Sequence, residues 1–134
     1  MKQTTLKWLA IIYTLIILLI IFMADQGDYK WFFNAIHGIP YADKFGHFIL
    51  IGLLTLFINL AINCATFKYL NRRWLIASVT IFILISLEEV SQLFFINRHF
   101  DWGDLIANWI GIVFFSWVAL QTQKNYLKQV KQEY

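Results

Sequence analysis

The sequence predicts an all-α protein, a single-domain four-helix transmembrane bundle over residues 1–134 with N and C termini cytoplasmic. Three observations predict it. Apolar residues make up 60% of the chain and charged residues 14%, against roughly half and roughly a quarter in a soluble domain. The apolar excess is gathered into four long runs rather than spread through the chain. Lysine and arginine favour alternate flanks of those runs, as cytoplasmic loops do.

The first run covers residues 6–24 and carries one charge, Lys7, at its edge. At about 1.5 Å per residue it spans about 28 Å, close to the hydrocarbon thickness of a bilayer. It is too long for the apolar core of a signal peptide, and "FMADQG" is a poor cleavage site, so a retained helix is expected. The second run covers residues 45–64, the third 74–96 and the fourth 104–122. Each is long enough to span with some tilt.

The flanks set the orientation. Lys2 and Lys7 precede the first helix, "TFKYLNRR" carries Lys68, Arg72 and Arg73, and the tail carries Lys124, Lys128 and Lys131. In the other two loops Lys30, Lys44 and Arg98 are diluted by Asp25, Asp28, Asp43 and Asp101. Both termini are therefore expected inside. Trp8, Trp31, Trp74, Trp102 and Trp117 fall near the expected interfaces, as an aromatic belt requires. "DYKWFFNAIHGIPYA" reads as an aromatic stretch on the outer interface, a short amphipathic helix broken before Pro40. For "QKNYLKQVKQEY" two readings compete: an extension of the fourth helix along the inner leaflet, meeting anionic lipid, or a frayed solvated tail.

Several function classes are disfavoured. Basic residues sit at segment ends rather than on one stripe, so no nucleic-acid partner is expected. One cysteine, Cys64, permits no intrachain disulfide and reads as a small packing residue. There is no nucleophile elbow and no glycine-rich phosphate loop.

The informative residues are polar groups at the outer ends of three helices. Asp43, Lys44 and His47 open the second helix, and Asp43 and His47 lie one turn apart. Glu88 and Glu89 lie near the end of the third. Adjacent glutamates point about 100° apart, so at least one must face the bundle, and Gln92 is a helical neighbour of both. A carboxylate facing lipid is costly. The group is therefore either a buried pair with Arg98 or Lys44, or the wall of a polar pocket. Arg98 and Asp101 follow in the third loop. Asp104 opens the fourth helix, where capping the free N–H groups competes with a role in the pocket. Asn108 and Gly111 share its face, and Gly111 reads as a structural residue that lets another helix approach. His47 with Glu89 and Asp101 is a conceivable metal set. Without a tight ligand spacing the reading is that no metal and no cofactor is held, and that His47 orders a helix end.

These residues resemble a family pattern. "DKFGH" supplies Asp43, Lys44 and His47. "EVSQ" supplies Glu89 and Gln92. "NRHFDWGDLIANWIG" supplies Arg98, Asp101, Asp104, Asn108 and Gly111. In order and spacing the chain resembles the VanZ-like family of small bacterial membrane proteins, from Asp43 to Leu120. The resemblance implies a multi-pass protein of the bacterial cytoplasmic membrane. It also implies a link to glycopeptide (teicoplanin) resistance, or more broadly a role in the cell envelope, without an implied enzymatic activity.

Three functions follow from these residues. In the first, Lys44, Arg98 and His47 bind an anionic lipid headgroup, a lipid-linked cell-wall precursor or a lipoglycopeptide antibiotic at the outer leaflet, with the acids pre-positioning the cations. In the second, the protein is a membrane enzyme using Glu89 or Asp104 as general base with His47 as partner. In the third, the charges form an ion-pair network that orients the helices and function resides in a partner protein. The first is favoured, although acids outnumber bases at the outer rim. That excess favours a cation, a protonated carboxylate or the structural network.

Overall fold

A computed structural model describes residues 3–26, 41–96 and 98–132. Trp31, Lys30 and the expected interfacial helix before Pro40 lie outside them. The chain is mostly helical. Helix α1 is Gln3–Gln26, α2 is Ala42–Ala61, α3 is Ile76–Ser91 with a 3₁₀ turn Gln92–Phe94, and α4 is Trp102–Gln132. All four are long and apolar enough to cross a membrane.

The exterior is apolar. On α1, Leu15, Leu18, Leu19 and Phe22 are all exposed, and only Ala10 and Ile17 are buried. In water such a surface would drive association. A lipid solvent makes it the expected exterior, because lipid tails are as apolar as leucine.

Packing selects one stripe per helix. In α3 the buried residues are Ala77, Ile81, Ile85 and Glu89, each four positions from the last. In α4 they include Leu105, Asn108, Ile112 and Ala119. Ile17, Ile51, Leu54, Ile81, Ile85 and Ile112 meet in one cluster that draws on all four helices. Helix α2 is central, packing on each of the other three.

Helices α2 and α4 approach most closely. A Cβ on Gly111 would lie 2.5 Å from the Phe48 carbonyl oxygen, so only glycine fits there. One turn deeper the Phe115 ring lies against Gly52. The structural role expected of Gly111 is therefore steric, and large rings beside it are accommodated by a second glycine on the facing helix.

A polar knot ties three helices below the core. The Asn59 amide donates to Ser78 Oγ at 2.9 Å, and Ser78 Oγ shares a 2.6 Å hydrogen bond with Ser116 Oγ. Ser116 in turn donates to the Ile112 carbonyl. Asn59 and Thr55 are wholly buried, so these bonds replace water the interior lacks.

Two differences from the expected fold have local causes. The chain is not all-α: β1 (Thr66–Tyr69) and β2 (Arg72–Leu75) form an antiparallel hairpin where a loop was expected. Leu70 and Asn71 make its turn with φ of 47° and 60°, without a glycine. Helix α4 runs to Gln132 rather than ending near residue 122, which decides the tail in favour of helix. At about 46 Å it exceeds the hydrocarbon thickness by roughly 16 Å, about three turns. The other boundaries move by a few residues: α1 begins at Gln3, α2 at Ala42, and α3 at Ile76.

Cross-links fix which ends lie together. Gln3 donates to the Ala61 carbonyl at 2.6 Å and Gln123 to the Asn63 carbonyl at 2.7 Å. Arg98 meets Asp25, and Lys44 meets Asp101 and Asp104, at the opposite end. The helices thus alternate in direction, with a hairpin end and an acidic end. Replacing Gly111 with alanine should cost about 1–3 kcal/mol through overpacking against backbone that cannot shift cheaply. Gly46→Ala, where a Cβ would meet nothing within 4 Å, serves as the control. Thermal unfolding in detergent checks the difference, and equal melting of the two variants would contradict the close approach.

Candidate functional site

The acidic end is assembled from four segments. Asp25 comes from the last turn of α1, Asp43, Lys44 and His47 from the first turns of α2, and Glu88 and Glu89 from the end of α3. Arg98 and Asp101 come from the α3–α4 connection, and Asp104 and Asn108 from the start of α4.

Asp101 starts α4. Its Oδ1 accepts the Gly103 N–H at 2.6 Å, and its carbonyl accepts the N–H groups of Asp104 and Leu105. The capping role considered for Asp104 therefore belongs to Asp101, one residue before the helix. Asp104 is released to point at α2.

Lys44 gathers three carboxylates. Its Nζ lies 2.8 Å from Asp101, 3.0 Å from Asp104 and 3.2 Å from Asp43. The lysine stem lies over Gly103, where any side chain would collide with it. His47 Nε2 stands 3.6 Å from the second Asp104 oxygen, close but beyond hydrogen-bond distance. Asp43, Asp101 and Asp104 present oxygens within 4.8 Å of one another, a spacing that could suit a metal ion. The Lys44 ammonium already sits among them, so this donor set has its cation. The metal set considered from sequence, His47 with Glu89 and Asp101, is not the group that converges.

Arg98 forms the second node. One guanidinium nitrogen meets Asp25 at 3.1 Å and another meets Glu88 at 3.2 Å, tying α1 to α3. Gln92 Nε2 donates to the same Glu88 carboxylate at 3.3 Å. Arg98 is mostly shielded, with 12% of its side chain exposed, so this pair is less screened than a surface bridge. Asp25 was not among the site residues expected from sequence. No short-range signal marks it, because it lies 73 residues from its partner.

Glu89 is different. It extends the inward stripe of α3 and is 0% exposed, and neither carboxylate oxygen has a side-chain hydrogen-bond partner; the Asp101 backbone N–H is the donor that faces it. Asn108, one turn past Asp104, is 1% exposed and its Oδ1 is also unpartnered. Glu88, Asp104 and Arg98 are its charged neighbours. Of the two adjacent glutamates, the outer one is paired and the inner one is not.

The nine expected site residues thus fall into two nodes and a remainder. Asp43, Lys44, His47, Asp101 and Asp104 form one node; Gln92 and Arg98 belong to the other; Glu89 and Asn108 are buried beside them. Of six carboxylates, counting Asp25 and Glu88, five pair with two permanent cations and Glu89 pairs with neither. Both cations are engaged by acids of the chain. The unspent capacity is acceptor capacity, on Glu89 and Asn108.

No family model, curated protein or solved structure matches this chain.

The Lys44 ammonium and the Gly103 N–H hold the Asp101 carboxyl below the usual carboxylate range. A depressed folded-state value adds stability that is fully present above the unfolded value near about 4. It is lost as pH falls through that value toward the folded one. Melting temperature should therefore fall more steeply below about pH 5 in the parent protein than in Asp101→Asn. Above that pH the variant should be the less stable of the two. Parallel acid melting curves for the two proteins would rule the linkage out.

Proposed function

We propose that the chain is a multi-pass protein of the bacterial cytoplasmic membrane, of the VanZ-like kind, with both termini cytoplasmic. Its acidic end faces outward and binds the polar headgroup of a membrane lipid or lipid-linked cell-wall precursor. The observation that carries this reading is Glu89: a fully buried carboxylate without a side-chain partner, beside cations that are already engaged.

Burying a carboxylate without compensating hydrogen bonds is costly, and the cost is recovered when a donor arrives. Lys44 and Arg98 are taken, so an anionic group finds no free cation in either node. What the site offers is oxygen acceptors. The headgroup it suits carries hydroxyl or ammonium donors, as sugar and amino headgroups do. Any phosphate of the same lipid would stay toward the solvent side. A lipoglycopeptide antibiotic has both a lipid tail and donor-rich sugars, so the resistance link that the resemblance implies fits the same chemistry.

A second reading shares the same residue. A dry, unpaired carboxylate is also how a general base is held, and Glu89 would then take a proton from a hydroxyl of a lipid-linked substrate. His47 stands on Asp104 rather than on Glu89, so Glu89 would act without it.

Glu89→Leu separates function from fold. Removing an unpaired buried charge should leave thermal stability equal or higher. Loss of one to two charge-assisted hydrogen bonds should weaken retention of amino- or sugar-headed lipids by about tenfold to a hundredfold, read by native mass spectrometry from nanodiscs. Undiminished retention in that variant would end the headgroup reading. If Glu89→Gln keeps lipid but abolishes a product formed from envelope lipids, the enzyme reading replaces it. Orientation has its own check. Phe94, 84% exposed at the acidic end, should react as cysteine with an impermeant maleimide added outside intact cells, and Asn125→Cys should not. The reverse pattern would invert the topology.

A further inference from the structure

The connection between α2 and α3 is a two-stranded sheet, without a third strand among the described residues. Ile76 N–H bonds to the Ala65 carbonyl at 3.0 Å, so the hairpin closes directly onto the start of α3. Its register pairs Phe67 with Trp74, Lys68 with Arg73, and Tyr69 with Arg72. Alternate pairs share a face, so Phe67, Trp74, Tyr69 and Arg72 lie on one side and Lys68 and Arg73 on the other. The Trp74 indole donates to the Tyr69 carbonyl at 3.3 Å.

The apolar residues of the hairpin are uncovered. Phe67, Tyr69 and Trp74 are 41%, 61% and 45% exposed, and Leu70 at the tip is 77% exposed. A two-residue turn with both φ positive favours asparagine and glycine. Leucine at the first of these positions is unfavourable for the backbone and exposes an apolar side chain to whatever lies beyond the tip. A bare aromatic strip with open strand edges is an aggregation hazard in water.

The charge around it has one sign. Lys68, Arg72 and Arg73 are in the hairpin, and Lys7, Lys124 and Lys128 stand toward the same end of their helices. The Gln3 and Gln123 hydrogen bonds hold α1 and α4 against the hairpin base. Every Asp or Glu among the described residues lies toward the opposite end of the bundle.

We infer that this hairpin is an anchor that lies along the bilayer surface and binds the anionic phospholipid of the leaflet at its own end. The inference rests on reading the four helices as membrane spans. Phe67, Tyr69, Trp74 and Leu70 would enter the interfacial layer, where aromatic side chains are favoured. Arg72, on the aromatic side, would meet lipid phosphates directly, while Lys68 and Arg73 on the other side would add a surface attraction that falls off within a Debye length. A second copy of the chain suits this face less, because pairing two hairpins would oppose like charges.

The test uses the full chain in nanodiscs, with Cys64→Ala and a bimane fluorophore on Leu70→Cys. Brominated acyl chains report contact with lipid. A reference label on Leu18→Cys, on the exposed face of α1, reports the span itself. With phosphatidylcholine alone, the Leu70 label should be weakly quenched; with a phosphatidylglycerol-rich mixture, strongly. Neutralising Lys68, Arg72 and Arg73 to glutamine should shift the docked population back by about fivefold per charge removed. High salt should act in the same direction. Leu70 quenching that ignores lipid charge, or that survives loss of the three cations, overturns the anchor while a quenched Leu18 label leaves the spans intact. An unquenched Leu18 label removes the spans and the anchor together. Cross-linking between Leu70 labels of two copies, in place of lipid quenching, would assign the face to self-association.

Discussion

Three aspartates, from α2, from α4 and from the residue just before α4, repel one another at a few ångströms unless a cation lies between them, and Lys44 is that cation. Its ammonium lies within 3.2 Å of all three. The contact sets the register of α2 against α4, since Lys44 must reach across Gly103 to arrive there. One turn deeper the same pair of helices closes further, with Gly111 against the Phe48 carbonyl. A solvent-facing bridge adds little stability by itself. Its value here is positional: it neutralises charge that would otherwise hold apart two helices the apolar stripes draw together. Arg98 does the same for α1 and α3 through Asp25 and Glu88.

The four helices were legible because lipid imposes a simple rule: a span must satisfy its own backbone and present apolar side chains outward. That rule fixes length and composition, and so the segments near residues 6–24, 45–64, 74–96 and 104–122 correspond to observed helices. It says little about ends. Asp43 and Lys44 fall inside the first turn of α2, where Lys44 reaches Asp101 and Asp104 and Asp43 pairs with Lys44. The hairpin escaped notice because "TFKYLNRR" lacks glycine and alternates aromatic with basic residues rather than apolar with polar. Its turn places Leu70 in a conformation leucine rarely adopts.

Charged site residues were legible for a related reason: a carboxylate in an apolar run stands out. Their pairing was not. Asp25 meets a partner 73 positions away, and no local pattern announces such a contact. The choice between Glu88 and Glu89 was written in the sequence, in the four-residue spacing of Ala77, Ile81, Ile85 and Glu89, and becomes visible once the stripe is traced to its end. Asn59, Ser78 and Ser116 gave no such sign. Small uncharged polar residues in an apolar helix are common, and only the packing shows that these three meet.

The interior is therefore layered. The Asn59 knot lies toward the hairpin end, Ile51, Leu54, Ile81, Ile85 and Ile112 form the middle, and Glu89 lies toward the acidic end. An apolar middle isolates the two polar layers, so a polar ligand reaching Glu89 must enter from the acidic end. The two layers also differ in kind. In the knot each donor has an acceptor within the protein, and a single amide oxygen of Asn59 is left over. At Glu89 neither oxygen of a carboxylate meets a side-chain donor, and the Asn108 oxygen of the same layer is left over as well. A bundle selected for stability alone would place leucine at position 89, completing the stripe that Ala77, Ile81 and Ile85 begin. The carboxylate makes that position worse for packing, which is the cost the proposed headgroup site would have to offset.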